Sequence, residues 1–591
     1  MATRKLCAFY LSAFNRFSTN DEFIFTKTAD KYIGITRKFL TTKIESLISY
    51  YQAAGLGKGD KIAIISENRI EWIVTDIAAA FLGLVTVPIY NTLSKEQIKY
   101  ILGNSGSVMC FVSGSLMLDR VLQSRDELPD LKSVISYNDF HDIERPEGIC
   151  YFSEIVSHAR DHIPDINKLK ILCDKIEEED LLTIIYTSGT TGIPKGVMLS
   201  NKNICSNLVS CQNVLEISER DSFLSFLPYS HIYERVAGYY LALFSGAKIY
   251  YAQNIDTIAT QMPETKPTII ITVPRLLDKM YYKVMKSGLE ETSGIKKRIF
   301  KWAIRTAKPG KSNNPTLNWK IANFMVYKKI KDKTGGRIRC FVSGGGALNK
   351  QIGEFFDGIG LQVLEGYGMT ETSPVISVNR PGRNKYGTVG IPLDGVMVDI
   401  AHDGEILVKG ELVMQGYYNL PEETSETIKN GWLHTGDIGE FDKDGFLKIT
   451  DRKKSLFKTS GGKYIAPLQI EETLAQLPWI EQIIAIGNER MFVSALIVPA
   501  KDELIAIAKK NSFDANSFET LIENSEFLKL LQRQINSAQK NLGSHEKVKR
   551  FGFIKEPFTI ESGELTPTLK VKRKVVEEKY KELINSLYEK I

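Results

Sequence analysis

The chain has 591 residues, of which 43% are hydrophobic and 25% charged, so it can form a large core and more than one domain. Its formal net charge of +6 is small for this length and gives no case for a nucleic-acid-binding protein, which needs a clustered basic face. The seven cysteines are scattered and form no CxxC pair. We therefore expect reduced thiols in a cytosolic protein, not a disulfide framework or a zinc site.

The first residues form a short apolar run that Asn15 and Arg16 interrupt. A signal peptide and a first helix packed on the core both fit this run, and the lack of a clear small-residue cleavage site favours the helix. No stretch approaches the about 20 apolar residues that a membrane-spanning helix needs. We expect a cytoplasmic protein, and any contact with a membrane would be peripheral, on its inner face.

Apolar segments rich in β-branched residues alternate with helix-like patterns from about Lys61 to Leu364. Pro274 stands where a helix can begin, and apolar residues follow it at helical spacing. This alternation predicts an α/β fold in which helices cover the sheets. The clearest predicted strands are Lys61–Ile65, Leu181–Tyr186, Thr268–Val273 and Cys340–Val342.

The sequence pattern changes from Gly404 onward, where short predicted strands such as Glu405–Val408 alternate with turns. Asp442–Gly445 is typical of a hairpin loop. Beyond Asp451 a basic segment precedes a smaller α/β pattern. We predict an N-terminal domain over residues 1–450, a hinge at 451–454 and a C-terminal domain over 455–591.

The segment Tyr186–Gly196 places three glycines, four hydroxyl side chains and Lys195 after a buried type of strand. Glycines let backbone N–H groups approach an anion closely, hydroxyls can donate to phosphate or ligate magnesium, and a lysine offsets negative charge. The pattern is not a Walker A loop, because GxxxxG is not followed by Lys and Ser or Thr. A flexible surface loop is the alternative, and ten specific positions disfavour it.

Two later turns also fit nucleotide binding. Val342–Ala347 contains three successive glycines, which serve equally well in a tight strand–helix connection. Glu365–Thr372 offers the ring of Tyr367, the hydroxyl of Thr370 and the carboxylate of Glu371, a magnesium-binding group. Alone this segment could be an exposed loop, but beside the first loop it becomes specific.

A third region runs from Gly431–Asp437 to Thr450–Lys454. Asp437 can accept hydrogen bonds from both hydroxyls of a ribose, and Arg452 can contact the ribose or the α-phosphate. An isolated Asp or Arg is more often a solvated surface charge.

Together these segments resemble the adenylate-forming superfamily of acyl-CoA synthetases, peptide-synthetase adenylation domains and firefly-type luciferases. The resemblance extends from about Phe39 to Lys579, with the motifs in the family's order. Long-chain fatty acyl-CoA synthetases are the most similar branch, because Leu227–Arg235 looks like their LPxxHxxER motif and residues 430–467 resemble their fatty-acid signature.

The resemblance implies a large N-terminal domain of helix-covered sheets with a distorted β-barrel, and a small mobile α/β C-terminal domain. It also implies a ligase that uses ATP, Mg2+ and coenzyme A to convert a long-chain fatty acid into acyl-CoA, AMP and pyrophosphate. Two alternatives stay open. One is an acyl carrier protein as the acceptor, and the other is a non-catalytic fatty-acid-binding or uptake protein, which would need damaged motifs.

The resemblance also implies roles for individual residues. Thr187 and Glu371 would bind magnesium with ATP, and His231 would lie where the acyl and nucleotide pockets meet. Lys454 would be the pivot of the C-terminal domain, and Lys458 and Tyr464 would line the nucleotide or CoA side. The further nucleotide-binding residues would be Ser188, Gly189, Thr190, Thr191, Gly192 and Lys195 at the phosphates, Gly344, Gly345, Gly346, Ala347, Tyr367, Gly368 and Thr370 near the adenine, and Asp437 and Arg452 at the ribose.

The segment Gly563–Arg573 matches the one that carries the family's catalytic lysine, which implies Lys570. Leu569 replaces a glycine found in many members, as in the long-chain branch. Lys572, Arg573 and Lys574 compete for the same register, and a basic, solvated helix start is the alternative. Arg235 occupies the position at which some long-chain enzymes have an aromatic gate, so no chain-length preference follows.

Overall fold

The computed structural model describes residues 4–140, 148–157, 165–188, 193–453, 455–460, 463–514, 517–559, 562–565 and 571–589, with Ser188 and Tyr464 described by their backbone alone. It contains two compact units. The larger unit comprises Met1–Val398, Val408–Leu433 and Lys443–Leu447, and the smaller comprises Asp399–Leu407, His434–Asp442 and Lys448–Ile591. The predicted boundary at residue 450 and the hinge at 451–454 stay predictions.

The helices of the described residues are α1 Leu6–Arg16, α2 Arg37–Ala53, α3 Ile70–Leu82, α4 Lys95–Ser105, α5 Ser115–Leu122, α6 Phe152–Ser157, α7 Ile166–Asp174, α8 Asn201–Leu215, α9 Leu241–Phe244, α10 Ile258–Thr265, α11 Pro274–Leu289, α12 Gly294–Thr306, α13 Leu317–Ala322, α14 Lys328–Asp332, α15 Lys350–Gly358, α16 Pro421–Thr427, α17 Pro467–Leu474, α18 Lys501–Lys510, α19 Phe518–Glu523, α20 Ser525–Ala538, α21 Arg573–Lys579 and α22 Lys581–Ser586. Short 3-10 turns are Arg125–Glu127 and Thr370–Thr372, and π-helical segments are Glu234–Tyr240 and Asn323–Tyr327.

The strands are β1 Glu22–Thr28, β2 Lys31–Thr36, β3 Lys61–Ile65, β4 Val85–Ile89, β5 Met109–Val112, β6 Ser133–Ser136, β7 Ile149–Tyr151, β8 Leu181–Ser188, β9 Pro194–Ser200, β10 Ser222–Ser225, β11 Lys248–Tyr251, β12 Ile269–Thr272, β13 Cys340–Ser343, β14 Gln362–Gly368, β15 Val375–Val378, β16 Ile391–Pro392, β17 Met397–Ile400, β18 Glu405–Lys409, β19 Gly416–Tyr417, β20 Ile428–Lys429, β21 Trp432–Phe441, β22 Leu447–Arg452, β23 Phe457–Lys458, β24 Tyr464–Ile465, β25 Ile480–Ile486, β26 Val493–Pro499 and β27 Val548–Phe553. The four clearest predicted strands and the helix start at Pro274 are confirmed.

Two large sheets form the core of the larger unit. A nine-stranded sheet has the order β16-β15-β14-β13-β12-β10-β11-β1-β2, with β10, β12, β13 and β14 parallel to one another. An eight-stranded sheet has the order β19-β9-β8-β4-β3-β5-β6-β7, in which β4 and β5 are fully buried and β3 is buried except at Lys61. Strands buried on both faces consist of continuous apolar residues, as the sequence indicated.

A five-stranded sheet contains β17, β18, β21 and β20 in that order, with β22 paired to β21. The predicted hairpin loop at Asp442–Gly445 lies between β21 and β22 and is confirmed. In the smaller unit, β25, β26 and β27 form a three-stranded sheet whose apolar residues pack with those of α17 and α20. The predicted fold class is confirmed, with helix-covered sheets, a half-barrel-like sheet and a smaller α/β unit, whereas the mobility of that unit stays a prediction.

Arg235 is a fully buried cation in the larger unit. Its guanidinium is paired with the buried carboxylate of Asp76 on α3 and donates to Thr183 on β8 at 2.9 Å and to Thr86 on β4 at 2.7 Å. The hydroxyl of Tyr240 completes the cluster by accepting from Arg235 and donating to Asp76. Four guanidinium N–H groups and both carboxylate oxygens therefore have partners, as a buried ion pair requires.

This cluster gives Arg235 a structural role at the position where some long-chain enzymes have an aromatic gate. The side chain points into the core between secondary-structure elements, so it does not close an entrance. Burial raises the pKa of Asp76, and the Arg235 charge opposes that rise. Tyr233, the nearby aromatic residue, is also buried.

The N-terminal segment forms α1, whose apolar residues are buried in the larger unit. Cys7 on α1 and Cys173 on α7 form a disulfide, with their Cα atoms 5.7 Å apart. The expectation of reduced thiols is wrong for this pair, because packing of α1 on α7 brings together residues 166 positions apart. Among the described residues, no helix is both long enough and apolar enough to cross a bilayer.

We predict that Asp76→Ala destabilises the protein by about 3–5 kcal/mol, because it leaves the Arg235 guanidinium buried without a counter-ion. The measurement is the thermal unfolding midpoint by scanning calorimetry. Asp119→Ala, at an exposed position on α5, is the matched control and should unfold like the wild type. An Asp76→Ala midpoint equal to that of the control would contradict the assignment.

Candidate functional site

Three of the predicted segments lie at one edge of the nine-stranded sheet. Leu227–Arg235 follows β10, the glycine turn follows β13, and Glu371 follows β14. Because these strands are parallel, their carboxyl ends meet at the same edge, where α/β sheets bind ligands. The turn is held there by the backbone N–H of Leu348, which donates to the buried carboxylate of Glu365 at 2.9 Å.

The glycine turn is shaped by the close approach of Tyr233. A Cβ atom on Gly344 would lie 2.8 Å from Cζ of the Tyr233 ring, so only glycine fits there without a shift. The Tyr233 hydroxyl donates to the carbonyl oxygen of Val342 at 2.8 Å. Gly345 has φ of +78°, a left-handed conformation that favours glycine. The next three residues of the turn are exposed, as a ligand-binding turn requires. They are Gly345, Gly346 and Ala347.

His231 is held beside the same turn. Its Nδ1 accepts a hydrogen bond from the backbone N–H of Tyr233 at 3.2 Å, and its ring centroid lies 6.5 Å from that of Tyr90. The ring is half-buried. The Nδ1 contact fixes the tautomer, because an accepting Nδ1 on a neutral ring leaves the proton on Nε2.

Glu234, the next member of the motif, is buried and accepts from the Ser225 hydroxyl at 2.6 Å. Burial raises the pKa of Glu234 to about 8, so the side chain is mainly the neutral acid at pH 7. A neutral carboxyl next to His231 avoids adding negative charge at the sheet edge, where an anionic substrate would approach.

The phosphate-loop candidate is the hairpin between β8 and β9 in the eight-stranded sheet. Thr187 lies opposite Lys195 in this antiparallel pair, and Tyr186 lies opposite Gly196. Gly196 is needed because a Cβ atom there would lie 2.8 Å from the Ile184 side chain. The predicted residues Gly189, Thr190, Thr191 and Gly192 and the side chain of Ser188 lie outside the described part of the chain.

Tyr417 joins this hairpin to Glu371, and sequence reasoning missed it. Lys195 Nζ lies 5.2 Å from the centroid of the Tyr417 ring, a cation–π contact, and the Tyr417 hydroxyl donates to Glu371 Oε1 at 2.9 Å. Burial, with the charge of Glu371, raises the pKa of Tyr417 above its ordinary value, so the hydroxyl remains a donor. The aromatic pair Tyr417–Tyr418 after Gly416 was the only signal in the sequence.

The backbone fixes both ends of this link. Tyr417 on β19 is paired with Val197 on β9, and the N–H of Met414 donates to the carbonyl oxygen of Glu371 at 2.9 Å. Glu371 is 8% exposed. The structure therefore brings the Thr187–Lys195 hairpin and Glu371 together. Carboxylate and hydroxyl oxygens are hard ligands, so these donor types fit Mg2+.

Tyr367, Gly368 and Thr370 occupy the end of β14 and the turn after it. Tyr367 is 9% exposed, so most of its ring packs inside the protein instead of standing open for stacking. A Cβ atom on Gly368 would lie 1.8 Å from the carbonyl oxygen of Pro374, which only glycine allows. Thr370 begins a 3-10 turn and is half-buried.

In the smaller unit, Asp437 and Arg452 form an ion pair. Arg452 Nε lies 2.8 Å from Asp437 Oδ1, the Asp437 side chain is buried, and the Arg452 side chain is half-exposed. Hydrogen bonds from Asp437 N–H to the Thr435 hydroxyl, and from that hydroxyl to Ile406 O, fix the turn. The two residues predicted at the ribose are thus neighbours, with the arginine oriented by the carboxylate.

Glu405 organises the same region and was also missed. Its carboxylate lies 3.0 Å from Lys453 Nζ and 3.1 Å from His434 Nδ1, and it accepts from the N–H of Gly436 at 2.9 Å. Burial works against its ionisation, but these three groups outweigh burial and lower the pKa of Glu405. It therefore fixes Lys453 beside the Gly436–Asp437 turn.

Lys458 and Tyr464 are paired across the β23–β24 hairpin, and Lys458 is exposed. Lys454 and Lys570 lie outside the described residues. Of the neighbours of Lys570, Arg573 forms an ion pair with Glu471 at 2.6 Å and donates to the carbonyl oxygen of Ala485. Arg573 is therefore held by structural contacts, and the assignment of Lys570 as the reacting cation stays a prediction.

Comparison with family models gives two matches. The model described as AMP-binding enzyme matches residues 14–418, and the one described as AMP-binding enzyme C-terminal domain matches residues 455–591.

Among curated proteins, the chain is 33% identical over 549 residues to long-chain-fatty-acid–CoA ligase FadD15 of Mycobacterium bovis, covering 91% of this chain and 89% of that protein. It is 33% identical to long-chain-fatty-acid–CoA ligase 5 of Rattus norvegicus, covering 96% of this chain and 86% of that protein. It is 32% identical to the peroxisomal long chain acyl-CoA synthetase 7 of Arabidopsis thaliana, covering 91% of this chain and 79% of that protein.

Solved structures share the fold at lower identity. The anthranilate CoA ligase AuaEII in complex with anthranoyl-AMP superposes with a TM-score of 0.74 at 19% identity, covering 98% of each chain. The adenylation domain of a carboxylate reductase from Mycobacterium chelonae gives a TM-score of 0.77 at 20% identity, covering 99% of this chain and 91% of that chain.

We predict that Tyr417→Phe weakens ATP binding about tenfold, since it removes one hydrogen bond to a charged group while keeping the ring over Lys195. The measurement is calorimetric titration with ATP in the presence of Mg2+. Tyr418→Phe is the matched control and should bind ATP like the wild type. Equal affinity of Tyr417→Phe and the control would show that the hydroxyl does not position Glu371 for the nucleotide.

Proposed function

Because the chain belongs to the AMP-binding enzyme family, we propose that it is a long-chain fatty acid–CoA ligase. The observation that carries this proposal is the Lys195–Tyr417–Glu371 link, which joins a phosphate-loop hairpin to a buried carboxylate. The long-chain substrate is supported by the named activities of relatives about one-third identical over most of the chain.

In the first half-reaction, a carboxylate oxygen of the fatty acid attacks the α-phosphorus of ATP. The bond from that phosphorus to the bridging oxygen breaks, and pyrophosphate leaves with the bonding electrons, which gives acyl-AMP. Repulsion between the carboxylate and the triphosphate dominates the activation barrier, and fixed positive charge in the site lowers that barrier. Lys195 and the backbone N–H groups of residues 188–192 would hold the β- and γ-phosphates.

Magnesium, when bound by Thr187 and Glu371, would neutralise part of the triphosphate charge. The hydroxyl of Tyr417 orients Glu371 for that role. Asp437 and Arg452 would hold the ribose, and the turn Gly344–Ala347 with Tyr367, Gly368 and Thr370 would border the adenine. His231 would lie near the junction with the acyl chain.

Lys570 would bridge the fatty-acid carboxylate and the α-phosphate during adenylation. In the second half-reaction, the thiol of coenzyme A attacks the acyl carbon, AMP leaves, and the thiol proton is lost to solvent or a base. The lysine is then no longer needed at the reaction centre. A C-terminal domain over 455–591 that turns about Lys454 would serve both steps with one pocket, and Lys458 and Tyr464 would then approach the nucleotide or coenzyme A.

The acceptor is proposed to be coenzyme A, as in the names of the relatives. An acyl carrier protein is the alternative, and carrier domains accompany some related folds, such as the A-PCP didomain of a carboxylic acid reductase from Segniliparus rugosus. We also propose a cytoplasmic enzyme that contacts a membrane peripherally, where long-chain acids partition.

We predict that Lys570→Ala lowers the rate of palmitate-dependent pyrophosphate release at least about a thousandfold, because charge stabilisation in the transition state is lost. Binding of palmitate should change little, since burial of its alkyl chain supplies most of the binding free energy. The measurement is coupled pyrophosphate detection, with palmitate binding followed by equilibrium dialysis.

Lys574→Ala, an exposed neighbour, is the control and should keep the wild-type rate. An unchanged Lys570→Ala rate would contradict the assignment of the lysine. A wild type that binds palmitate but releases no pyrophosphate would favour the non-catalytic uptake protein. Thioester formed with carrier protein but not with coenzyme A would change the acceptor.

A further inference from the structure

Basic residues are concentrated in one segment of the larger unit. Residues 274–337 contain seventeen Lys and Arg and four Asp and Glu, a net charge of +13, whereas the entire chain has +6. The remainder of the chain is therefore net acidic. The modest overall charge conceals a strongly basic region.

This segment is an enlarged crossover. It connects β12 to β13, which are adjacent and parallel, and such a connection needs only about a dozen residues. Here it contains α11, α12 and the helix from Leu317 to Asp332, of which Asn323–Tyr327 is π-helical. The extra length is therefore not required by the sheet.

The three helices pack on the core through their inner faces. Leu276, Leu277, Ala303 and Tyr327 are buried in one apolar cluster, and the Tyr327 hydroxyl donates to the carbonyl oxygen of Ala303 at 2.6 Å. The Trp319 indole donates to the carbonyl oxygen of Gly358 at 2.8 Å. These contacts fix which face of the Leu317–Asp332 helix points outward.

The outward face of that helix is apolar. Leu317 is 73% exposed, Ile321 42%, Phe324 79% and Met325 37%, whereas Trp319 and Tyr327 are buried against the core. We call the exposed side of residues 317–329 the outer face. Exposed apolar patches of this kind are typical of sites that contact a membrane or another protein.

Exposed lysines accompany the apolar side chains on the same helix and on the helix that packs against it. Lys320, Lys328 and Lys329 are exposed on the same helix, and Lys296 and Lys301 are exposed on the neighbouring α12. Within the part of the chain that the structure describes, the one ion pair recorded for the cations of residues 274–337 is Lys279 with Asp256, at 3.7 Å. The positive charge of the segment is thus largely uncompensated by the protein.

We propose that the outer face is a docking surface for a bilayer that contains anionic lipids. Phe324, Ile321 and Leu317 would enter the headgroup region, and the lysines would contact lipid phosphates. Exposed apolar side chains on a lysine-rich helix match an anionic leaflet, which has a negatively charged surface with acyl chains beneath it. The proposal stands on this geometry and does not depend on the proposed ligase activity.

The test is sedimentation of the full-length protein with vesicles of phosphatidylcholine alone or with about one-third phosphatidylglycerol. The double variant Ile321→Ser, Phe324→Ser should bind anionic vesicles at least about tenfold more weakly than the wild type. Leu116→Ser, which removes a side chain 60% exposed on α5, is the matched control and should bind like the wild type.

Charge is tested separately. Replacing Lys320, Lys328 and Lys329 by Gln should weaken binding roughly fivefold for each residue changed. The same change at three exposed lysines of the smaller unit, Lys510, Lys540 and Lys555, is the control. Wild-type binding should fall with rising salt and be weak on phosphatidylcholine alone.

Phe324→Trp provides a readout that does not depend on losing binding. Its fluorescence, after subtraction of the wild-type spectrum, should shift to the blue with anionic vesicles if the side chain enters the bilayer. No shift, or equal vesicle binding by the Ile321→Ser, Phe324→Ser variant and the wild type, would overturn the proposal. So would a wild type that binds acidic carrier protein or nucleic acid through these residues but no vesicles. Palmitate-dependent pyrophosphate release without vesicles reports on the ligase activity separately.

Discussion

The buried pair of Arg235 and Asp76 links the structures that carry the candidate site in the larger unit. Arg235 follows β10 of the nine-stranded sheet, yet its guanidinium bonds to Thr183 and Thr86 on strands of the eight-stranded sheet. One sheet presents His231 and the glycine turn, and the other presents the phosphate-loop hairpin. A buried ion pair contributes less to net stability than to specificity, because desolvation offsets much of its attraction. Here the ion pair specifies how the edges of the two sheets are placed relative to each other.

A second link, through Tyr417, operates within the site itself. A single phenol ring contacts Lys195 with its face and Glu371 with its hydroxyl, so a cation and an anion are held near each other without forming a direct pair. An aromatic spacer of this kind leaves the lysine and the carboxylate available for a polyphosphate and a metal ion. In the smaller unit, by contrast, Glu405 and Asp437 hold Lys453 and Arg452 through direct ion pairs.

Local sequence patterns predicted the parallel strands, the helix start at Pro274 and the hairpin at Asp442–Gly445, because β-branched runs, proline and glycine act over a few residues. Long-range partners were not predictable from these patterns. Arg235 could be placed in a motif, but its partner Asp76 lies 159 residues earlier. Tyr417 and Glu405 act through residues far away in sequence. The whole-chain charge of +6 also concealed the basic segment of residues 274–337, because charges elsewhere offset it.

The central claim is that the carboxylate of a long-chain acid becomes bonded to the α-phosphorus of ATP. Palmitate labelled with oxygen-18 in its carboxyl group tests this directly, by mass spectrometry of the products formed with ATP and coenzyme A. An acyl-adenylate mechanism predicts one labelled oxygen in AMP and none in pyrophosphate. Formation of ADP with the label in phosphate, or of unlabelled AMP, would contradict it.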